Sequence, residues 1–429
     1  MRSLFGFLFF VLFAASPVIA ASPPNVVLII SDDHAWTDYS FMGHPHIQTP
    51  HIDRLAKEGV TFRRGHVTSS LCCPSLATIL TGLYPHQHLI TSNDPPVPPG
   101  TPPRNFHQSP AFKEGRETMN RHLDAVPTLP KLLAKQNYLS LQTGKWWQGN
   151  YARGGFTHGM TRGERHGDDG LNIGRKTMQP IRDFIQEAGK KQRPFLVWYA
   201  PMLPHSPHNP PERLLKKYLP RTPSPHIARY WAMVEWFDET VGELRNILNE
   251  AKVADNTLII YIADNGWIQR PDNPAYAPRS KQSQYEGGLR TPIILHAPGK
   301  IPPRMTDELA SSIDILPTIL KFTGQDLPPD LPGLNLLDPQ ALGKRSAIFG
   351  ECFTHNAVDL NRPAANLRYR WIISGSDKLI VPDAVNEPKA SPELFDLTTD
   401  PEEKTDLAAK SPDRVQSLRT QLDHWWNPK

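Results

Sequence analysis

Cysteine is scarce in this chain of 429 residues, which contains only Cys72, Cys73 and Cys352. So few cysteines exclude a fold built on disulfides, and the odd number leaves at least one thiol unpaired. Net charge is also low, at +4 from 47 basic and 43 acidic residues. The sequence has no glycine-rich phosphate loop and no basic stripe, so we expect no nucleotide or nucleic-acid partner.

Long apolar runs are missing too, apart from residues 4–15 near the N-terminus. That run follows Arg2 and is followed by small residues up to Ala20, a pattern typical of a cleaved secretory signal. We therefore predict a signal peptide over residues 1–20, a secreted or periplasmic mature chain, and no membrane span after cleavage. A retained N-terminal anchor is the alternative, and the shortness of the run argues against it.

Proline is the abundant residue, with 45 in the chain, well above its ordinary share of about 5%. Seven of these prolines fall in residues 91–110, which we predict to be a stiff, extended insertion at the rim of the domain. Residues 91–124 and 202–225 are predicted rim loops, where substrate specificity is expected to reside.

Apolar runs of strand length alternate with amphipathic segments over most of the chain. We predict strands at 25–30, 138–142, 194–199 and 257–262, and helices at 50–58, 76–80, 127–136, 181–188 and 227–251. This alternation predicts an α/β fold with a doubly wound, mostly parallel sheet. From about residue 345, short strands and a final helix predict a smaller C-terminal antiparallel-sheet-plus-helix subdomain. The predicted domains are therefore residues 22–344 and 345–429.

Acidic and amide side chains directly follow two of the predicted strands. Asp32 and Asp33 come after the first strand, and Asp264 and Asn265 come after the fourth. Ligands of doubly wound sheets bind at the carboxyl ends of the strands, so these four side chains are candidates for one site. Four hard oxygen donors suit calcium or magnesium better than zinc. For either pair alone, capping a helix or ending a strand is the simpler interpretation.

Three basic side chains, Lys145, His205 and Lys281, lie in predicted loops that follow strands. A metal ion with two lysines makes a cradle for a charged oxyanion such as sulfate or phosphate. His205 can protonate a leaving oxygen. Each of the three is, by itself, equally consistent with a solvated surface residue, and only their shared position after strands groups them with the acids.

The most specific local pattern begins at Cys72, where the chain reads C-C-P-S, with L-T-G at residues 80–82. It resembles the signature of the sulfatases of the alkaline-phosphatase-like superfamily, C-x-P-S-R followed after three residues by L-T-G. Cys72 takes the first position of that signature, and Cys73 takes the variable second position. The resemblance covers residues 25–298, 312–318 and 394–406.

The resemblance implies a reaction as well as a fold. In the family, a maturation enzyme oxidises the signature cysteine to formylglycine, and the hydrated aldehyde attacks the sulfur of a sulfate ester. By this match Cys72 is the precursor of the nucleophile. Lys145 and Lys281 match the lysines that bind sulfate oxygens, and His205 matches the histidine near the leaving oxygen. One calcium ion is then expected to bind Asp32, Asp33, Asp264, Asn265 and the modified Cys72.

Two positions depart from the family pattern. Leu76 replaces the arginine that lies beside the hydrate and takes part in recognition by the maturation enzyme. Trp147 replaces the histidine of G-K-W-H, which contacts the hydrate. Groups that can replace the lost side chains are sought at Arg63, Arg64, His86 and His88. Trp146 and Trp147 either stack on a sugar or pack beneath the loop.

Three hypotheses follow from these residues. The first is an exported, calcium-dependent sulfatase that hydrolyses sulfate esters, with sulfated carbohydrate as the expected substrate class. The second is a pseudosulfatase that binds sulfated glycan without turnover, motivated by Leu76 and Trp147. The third is a phosphodiester or phosphonate ester hydrolase of the same superfamily. Cys73 and Cys352 either form a disulfide once Cys72 is modified or remain buried thiols.

Overall fold

The computed structural model describes residues 22–428, so the predicted signal peptide lies outside the described residues. The strands are β1 (Asn25–Ser31), β2 (Val60–His66), β3 (Leu139–Gly144), β4 (His158–Gly159), β5 (Phe195–Ala200), β6 (Thr257–Ala263), β7 (Arg290–His296), β8 (Arg304–Ser311), β9 (Ile348–Phe353), β10 (Leu367–Ser374), β11 (Asp377–Pro382) and β12 (Glu393–Asp396). The α-helices are α1 (Pro50–Glu58), α2 (Cys72–Thr81), α3 (Pro85–His88), α4 (Pro103–Phe106), α5 (Pro110–Asp124), α6 (Leu129–Ala134), α7 (Gln179–Lys190), α8 (Glu212–Tyr218), α9 (Pro225–Glu250), α10 (Glu286–Leu289), α11 (Ile315–Phe322), α12 (Pro339–Gly343), α13 (Pro363–Asn366) and α14 (Pro412–Trp425).

The large sheet has eight strands in the order β4-β3-β5-β1-β6-β7-β2-β8. Its central strands β3, β5, β1 and β6 are parallel neighbours, and β7 is antiparallel to both β6 and β2. Every residue of β1 is buried because both faces of the sheet are covered. Val26 and Leu28 pack into one core, whereas Val27 and Ile29 pack into a second core on the other face. This two-sided burial explains the continuous β-branched run.

A separate antiparallel sheet has the order β12-β11-β10-β9. Helix α14 packs on it through Leu418 and Leu422, which join Ile372 and Leu379 in a small core of their own. The predicted fold class is therefore confirmed, with a mostly parallel sheet and a smaller antiparallel sheet with a helix. The division at residues 344 and 345 stays a prediction.

Some elements differ from the sequence-based expectation. Residues 91–110 are not extended throughout, because α4 lies within them and α5 begins at Pro110. Ser109 caps α5 by accepting the Phe112 N–H at 3.1 Å, and Met119 and Leu123 bury its apolar face. Helix α8 likewise lies in the second predicted rim loop. Within residues 22–428, no helix has both the length and the apolar character needed to cross a bilayer.

Candidate active site

The acids predicted to form a site meet at the carboxyl ends of β1 and β6. The two strands are parallel neighbours, with Ser31 opposite Ala263, so the residues that follow each strand emerge side by side. The Asp33 N–H donates to Asp264 Oδ1 at 3.1 Å. Asn265 Nδ2 donates to Asp33 Oδ1 at 2.7 Å. The sheet register thus places side chains that are more than 200 residues apart in one cluster.

Two lysines enter the same cluster from other elements. Lys145 follows β3, and its Nζ lies 2.5 Å from Asp32 Oδ1 and 3.5 Å from Asp264 Oδ2. Lys281 lies in the loop between β6 and α10 and donates to both oxygens of Asp33 at 2.6 and 2.8 Å. Both ammonium groups are buried, which is rare for lysine unless it is paired.

Cys72 and His205 complete the group. Cys72 is the first residue of α2 and is buried. One side-chain donor atom each from Asp32, Asp33, Cys72 and His205 lies within 4.8 Å of the others. His205 Nε2 is 3.4 Å from Asp33 Oδ2, and its Nδ1 lies 2.6 Å from the Ser206 carbonyl oxygen. The structure therefore brings all the predicted site residues together: Asp32, Asp33, Cys72, Lys145, His205, Asp264, Asn265 and Lys281.

Burial shifts the pKa values of this cluster in different directions. Burial raises the pKa of the Cys72 thiol to about 12, so an unmodified thiol is protonated and weakly nucleophilic at neutral pH. Burial, reinforced by Asp32, raises the pKa of Asp264 to about 7. The pKa of Asp33 is instead held well below its ordinary value. Burial alone would raise it, but the positive charges of Lys281 and other nearby groups outweigh the effect of burial.

Three oxygen atoms in the cluster have no hydrogen-bond partner among residues 22–428: Asp32 Oδ2, Asp264 Oδ2 and Asn265 Oδ1. Leaving buried oxygens unpaired costs free energy, so their presence indicates a missing partner. If all three carboxylates were ionised, the two lysines would leave one negative charge uncompensated, and without a cation the raised pKa of Asp264 keeps that residue partly protonated. A hard divalent cation satisfies both the free oxygens and the charge, so the donor set fits calcium or magnesium.

Leu76 and Trp147, the two residues that depart from the family signature, are buried. Leu76 is 6% exposed and packs in the apolar core. Trp146 packs edge-on against Phe156 and Trp198. Trp147 is 4% exposed, with the guanidinium of Arg165 4.8 Å from its ring centre. Both rings are almost fully buried, which favours packing over stacking on a sugar.

The side chains considered as replacements for the lost groups have partners elsewhere. Arg63 pairs with Asp307, Arg64 donates to the Gly375 carbonyl, His86 pairs with Glu351, and His88 contacts Thr78 and the Ile90 N–H. The other two cysteines are free thiols: Cys73 accepts from Gln148 Nε2 at 3.1 Å, and Cys352 lies 3.6 Å from the Gln282 carbonyl oxygen.

Sequence reasoning missed one imidazole near the cluster, that of His166. Its ring centre is 6.0 Å from that of His205 and 4.5 Å from that of Trp147. It lies in an irregular segment with no strand or helix periodicity to mark its position. Its φ of 71° is uncommon for a residue other than glycine, and only the structure reveals it.

The profile of the sulfatase family matches residues 24–325, more than half of the chain. The chain belongs to the sulfatase family. A second profile, the C-terminal region of N-sulphoglucosamine sulphohydrolase, matches residues 279–426. The resemblance seen at Cys72 and residues 80–82 is thus confirmed, and the protein is a sulfuric ester hydrolase.

Known relatives of this sulfatase extend over most of its length. N-acetylgalactosamine-6-sulfatase of Mus musculus is 28% identical over 463 aligned positions, covering 93% of this chain and 85% of the relative. Arylsulfatase A of Bos taurus is 29% identical over 382 positions, covering 77% and 70%. A structure solved in complex with D-glucosamine-2-N,6-O-disulfate superimposes with a TM-score of 0.74 at 20% identity, covering 95% of this chain and 98% of the other. This last similarity concerns the fold.

Proposed function

We propose that this sulfatase is an exported, calcium-dependent hydrolase of sulfate esters on glycans, and that its nucleophile is formylglycine made from Cys72. The observation that carries the proposal is the buried cluster in which unpaired carboxylate and amide oxygens lie beside Cys72 and two lysines. The aldehyde hydrate would supply a hydroxyl nucleophile that a thiol with a pKa of about 12 does not supply.

The residues that would hold the cation are Asp32, Asp33, Asp264 and Asn265, together with the modified residue 72. A bound divalent ion would neutralise the acids and polarise the sulfate oxygens. With the ion bound, the cluster carries one net positive charge, which a singly charged sulfate ester balances. The charge of the site would therefore be matched to that of a bound monoanion.

Lys145 and Lys281 bind the sulfate oxygens in this mechanism. Each ammonium group is already held by a carboxylate, Asp32 for Lys145 and Asp33 for Lys281. This pairing fixes the position of each N–H donor before substrate arrives. Donors that need no reorganisation stabilise the negative charge that develops in the transition state.

His205 is the residue that would protonate the oxygen of the leaving alcohol. Its Nδ1–H donates to the Ser206 carbonyl, which leaves Nε2 to carry a second proton near Asp33. Burial lowers the pKa of His205 to about 3, and Asp33 opposes that effect. At neutral pH Nε2 is therefore unprotonated before substrate binds. The negative charge of a bound sulfate ester would favour uptake of a proton from solvent at Nε2, and Nε2–H would then transfer that proton to the alcohol oxygen as the S–O bond breaks.

A sugar substrate is supported by the relatives, since one is named for N-acetylgalactosamine 6-sulfate hydrolysis and one structural neighbour holds a glucosamine disulfate. The test uses protein secreted by a host that matures sulfatases. Sulfate release would be measured from 6-sulfated hexosamines and from 4-nitrophenyl sulfate, beside 4-nitrophenyl phosphate. We expect turnover of the sulfate esters that stops when calcium is chelated and is absent in Cys72→Ala.

Two results would contradict this proposal. Aldehyde-bearing protein that releases no sulfate from any of these esters, yet binds the sulfated sugars, would favour the pseudosulfatase hypothesis. Faster hydrolysis of the phosphate ester than of the matched sulfate ester would instead favour a phosphoester hydrolase.

A further inference from the structure

His166 is held in a backbone conformation that costs energy. Its φ and ψ angles are 71° and −18°, in the left-handed region that disfavours residues with a Cβ. The Asp168 carboxylate maintains this turn by accepting the backbone N–H groups of Arg162, Gly163 and Glu164, at 2.9 to 3.0 Å. Strain of this kind persists only where the surrounding structure enforces it.

The turn containing His166 packs against the end of β3, the strand that directly precedes Lys145. The Trp146 N–H donates to the His166 carbonyl oxygen at 3.0 Å. Gly167 and Gly170 pack directly on the Gly144 carbonyl, where a Cβ on either glycine would lie 2.5 Å from the oxygen. These contacts set the His166 ring relative to Lys145 without regular secondary structure.

The His166 ring lies close to the rings of both Trp147 and His205. Trp147 meets it edge-on at 4.5 Å between ring centres, and the ring centre of His205, a member of the acidic cluster, is 6.0 Å away. Trp147 occupies the position at which the family signature has histidine. An imidazole is therefore present in this region, although it comes from a different segment of the chain.

The proton of the His166 ring is placed by its neighbour Arg165. Arg165 Nη1 donates to His166 Nε2 at 2.9 Å, and Arg165 is itself held by two hydrogen bonds to Asp94 at 3.0 and 2.8 Å. With Nε2 accepting, the neutral ring carries its proton on Nδ1. Burial, together with Lys145, Arg165, His205 and Lys281, holds the pKa of His166 well below its ordinary value, so the ring is uncharged at neutral pH.

We propose that His166 is a substrate-binding residue of this sulfatase, which donates a hydrogen bond from Nδ1–H to an oxygen of the bound sulfate group. This rests on the function proposed above. Because Arg165 occupies Nε2, the ring stabilises charge as a neutral donor and transfers no proton, a role distinct from that of His205. It adds one fixed donor to the two lysines at a site that lacks the arginine of the signature.

The test compares two substitutions that suit the left-handed backbone. His166→Gly keeps the turn and removes the donor, whereas His166→Asn keeps the turn and retains a side-chain N–H. We expect kcat on 4-nitrophenyl sulfate to fall about a hundredfold in the glycine variant and about tenfold in the asparagine variant. Added imidazole is expected to restore part of the activity of His166→Gly. His424→Asn, on the exposed surface of α14, is the control and is expected to be unchanged.

A binding measurement separates this proposal from the proposed function. Calorimetric titration of the full chain with inorganic sulfate, in the presence of calcium, is expected to show weaker binding in His166→Gly than in wild type. Wild-type turnover with no effect of either variant would overturn the role of His166 and leave the function intact. Failure of the wild type to turn over sulfate esters would overturn the function, and unchanged sulfate affinity in His166→Gly would then overturn the role of His166 as well.

Discussion

Two buried clusters in this molecule each combine carboxylates with lysine and histidine, and they differ in how their carboxylate oxygens are paired. The first, which we call the active-centre cluster, consists of the site residues described above: Asp32, Asp33, Cys72, Lys145, His205, Asp264, Asn265 and Lys281. The second, which we call the inter-sheet cluster, consists of His66, Glu286, Lys378 and Glu403. In it Lys378 Nζ, on β11 of the small sheet, lies 3.0 Å from Glu286 and 2.8 Å from Glu403. His66 Nε2 lies 3.1 Å from Glu286, and the Glu286 N–H donates to Glu403 at 2.6 Å.

Every carboxylate oxygen of the inter-sheet cluster is within 3.2 Å of a nitrogen atom. Glu403 Oε1, which makes no hydrogen bond within the described residues, is still paired with Lys378 Nζ at 2.8 Å. In the active-centre cluster three residues among those described have an oxygen without a hydrogen-bond partner, and of these oxygens Asp264 Oδ2 lies no closer than 3.5 Å to Lys145 Nζ. The comparison teaches that burial of charge does not by itself identify a functional site. The distinguishing feature is several oxygens without hydrogen bonds, from three neighbouring residues, beside a candidate nucleophile.

Removing the proposed nucleophile should give the largest effect and should affect only the active centre. In Cys72→Ala we expect kcat to fall by roughly 10⁶-fold, as for other enzymes that lose a nucleophile. With calcium chelated, the thermal midpoint should change little, because the side chain of residue 72 then makes no ion pair. Cys352→Ala, another buried free thiol in the chain, is the matched control and should retain kcat. Equal loss of activity in the two variants would contradict the assignment of Cys72.

Removing the Lys378 ammonium group from the inter-sheet cluster should lower the stability of the protein and leave kcat unchanged. Lys378→Met leaves two buried glutamates without their cation, which should lower the free energy of unfolding by about 3–5 kcal/mol. Urea titration measures this loss, and kcat per folded molecule should equal that of wild type. Lys404→Met, at an exposed lysine on the neighbouring turn, should change the free energy of unfolding by less than about 0.5 kcal/mol. A large fall in kcat for Lys378→Met would mean that the inter-sheet cluster also serves the reaction.

Chelating calcium should destabilise the protein through the active-centre cluster alone. At a calcium concentration of 100 times Kd, binding contributes about 2.7 kcal/mol to folding. We therefore expect the thermal midpoint of wild type to fall when EGTA is added. The shift should shrink in Asp264→Asn, which has lost a charged ligand, and should persist in Lys378→Met. An EGTA shift of equal size in Asp264→Asn and wild type would contradict the proposed ligand set.

A smaller effect is expected in the pH dependence of stability of the inter-sheet cluster. Burial and the neighbouring Glu286 raise the pKa of Glu403 from its ordinary 4.5 to about 6. The folded protein therefore binds a proton that the unfolded chain has released between pH 4.5 and 6, so this group's contribution to stability falls as the pH rises through that window. Glu403→Gln should flatten the slope of unfolding free energy against pH there. An unchanged slope would show that Glu403 titrates normally.

The strands that carry the acids could be predicted from sequence because their burial is complete. β1 and β6 are continuous apolar runs followed directly by Asp32 and Asp264, so both their location and their polar ends can be read. Strands β2 and β8, on the other side of the sheet, could not be predicted from sequence, because charged side chains interrupt their apolar pattern. β2 has two partly exposed arginines at its centre, and β8 is an edge strand with several charged residues.

Prediction of the site residues from sequence is limited in the same way. Lys145 and His205 follow predicted strands and could be placed near the acids, whereas His166 depends on a turn stabilised by the Asp168 carboxylate. That turn is built from backbone contacts to Gly144, and such contacts leave no periodic trace in the sequence. The unpaired oxygens are likewise visible only in three dimensions, since they depend on which partners each acid already has.

The most direct test of the account is the mass of the tryptic peptide spanning residues 65–104, which contains both Cys72 and Cys73. It should be taken from protein secreted by a host that converts a control sulfatase. The account predicts the mass of an aldehyde or its hydrate at Cys72, with Cys73 unmodified, despite Leu76 in the place of the signature arginine. A thiol at Cys72 in protein that nevertheless hydrolyses sulfate esters would contradict the proposed nucleophile.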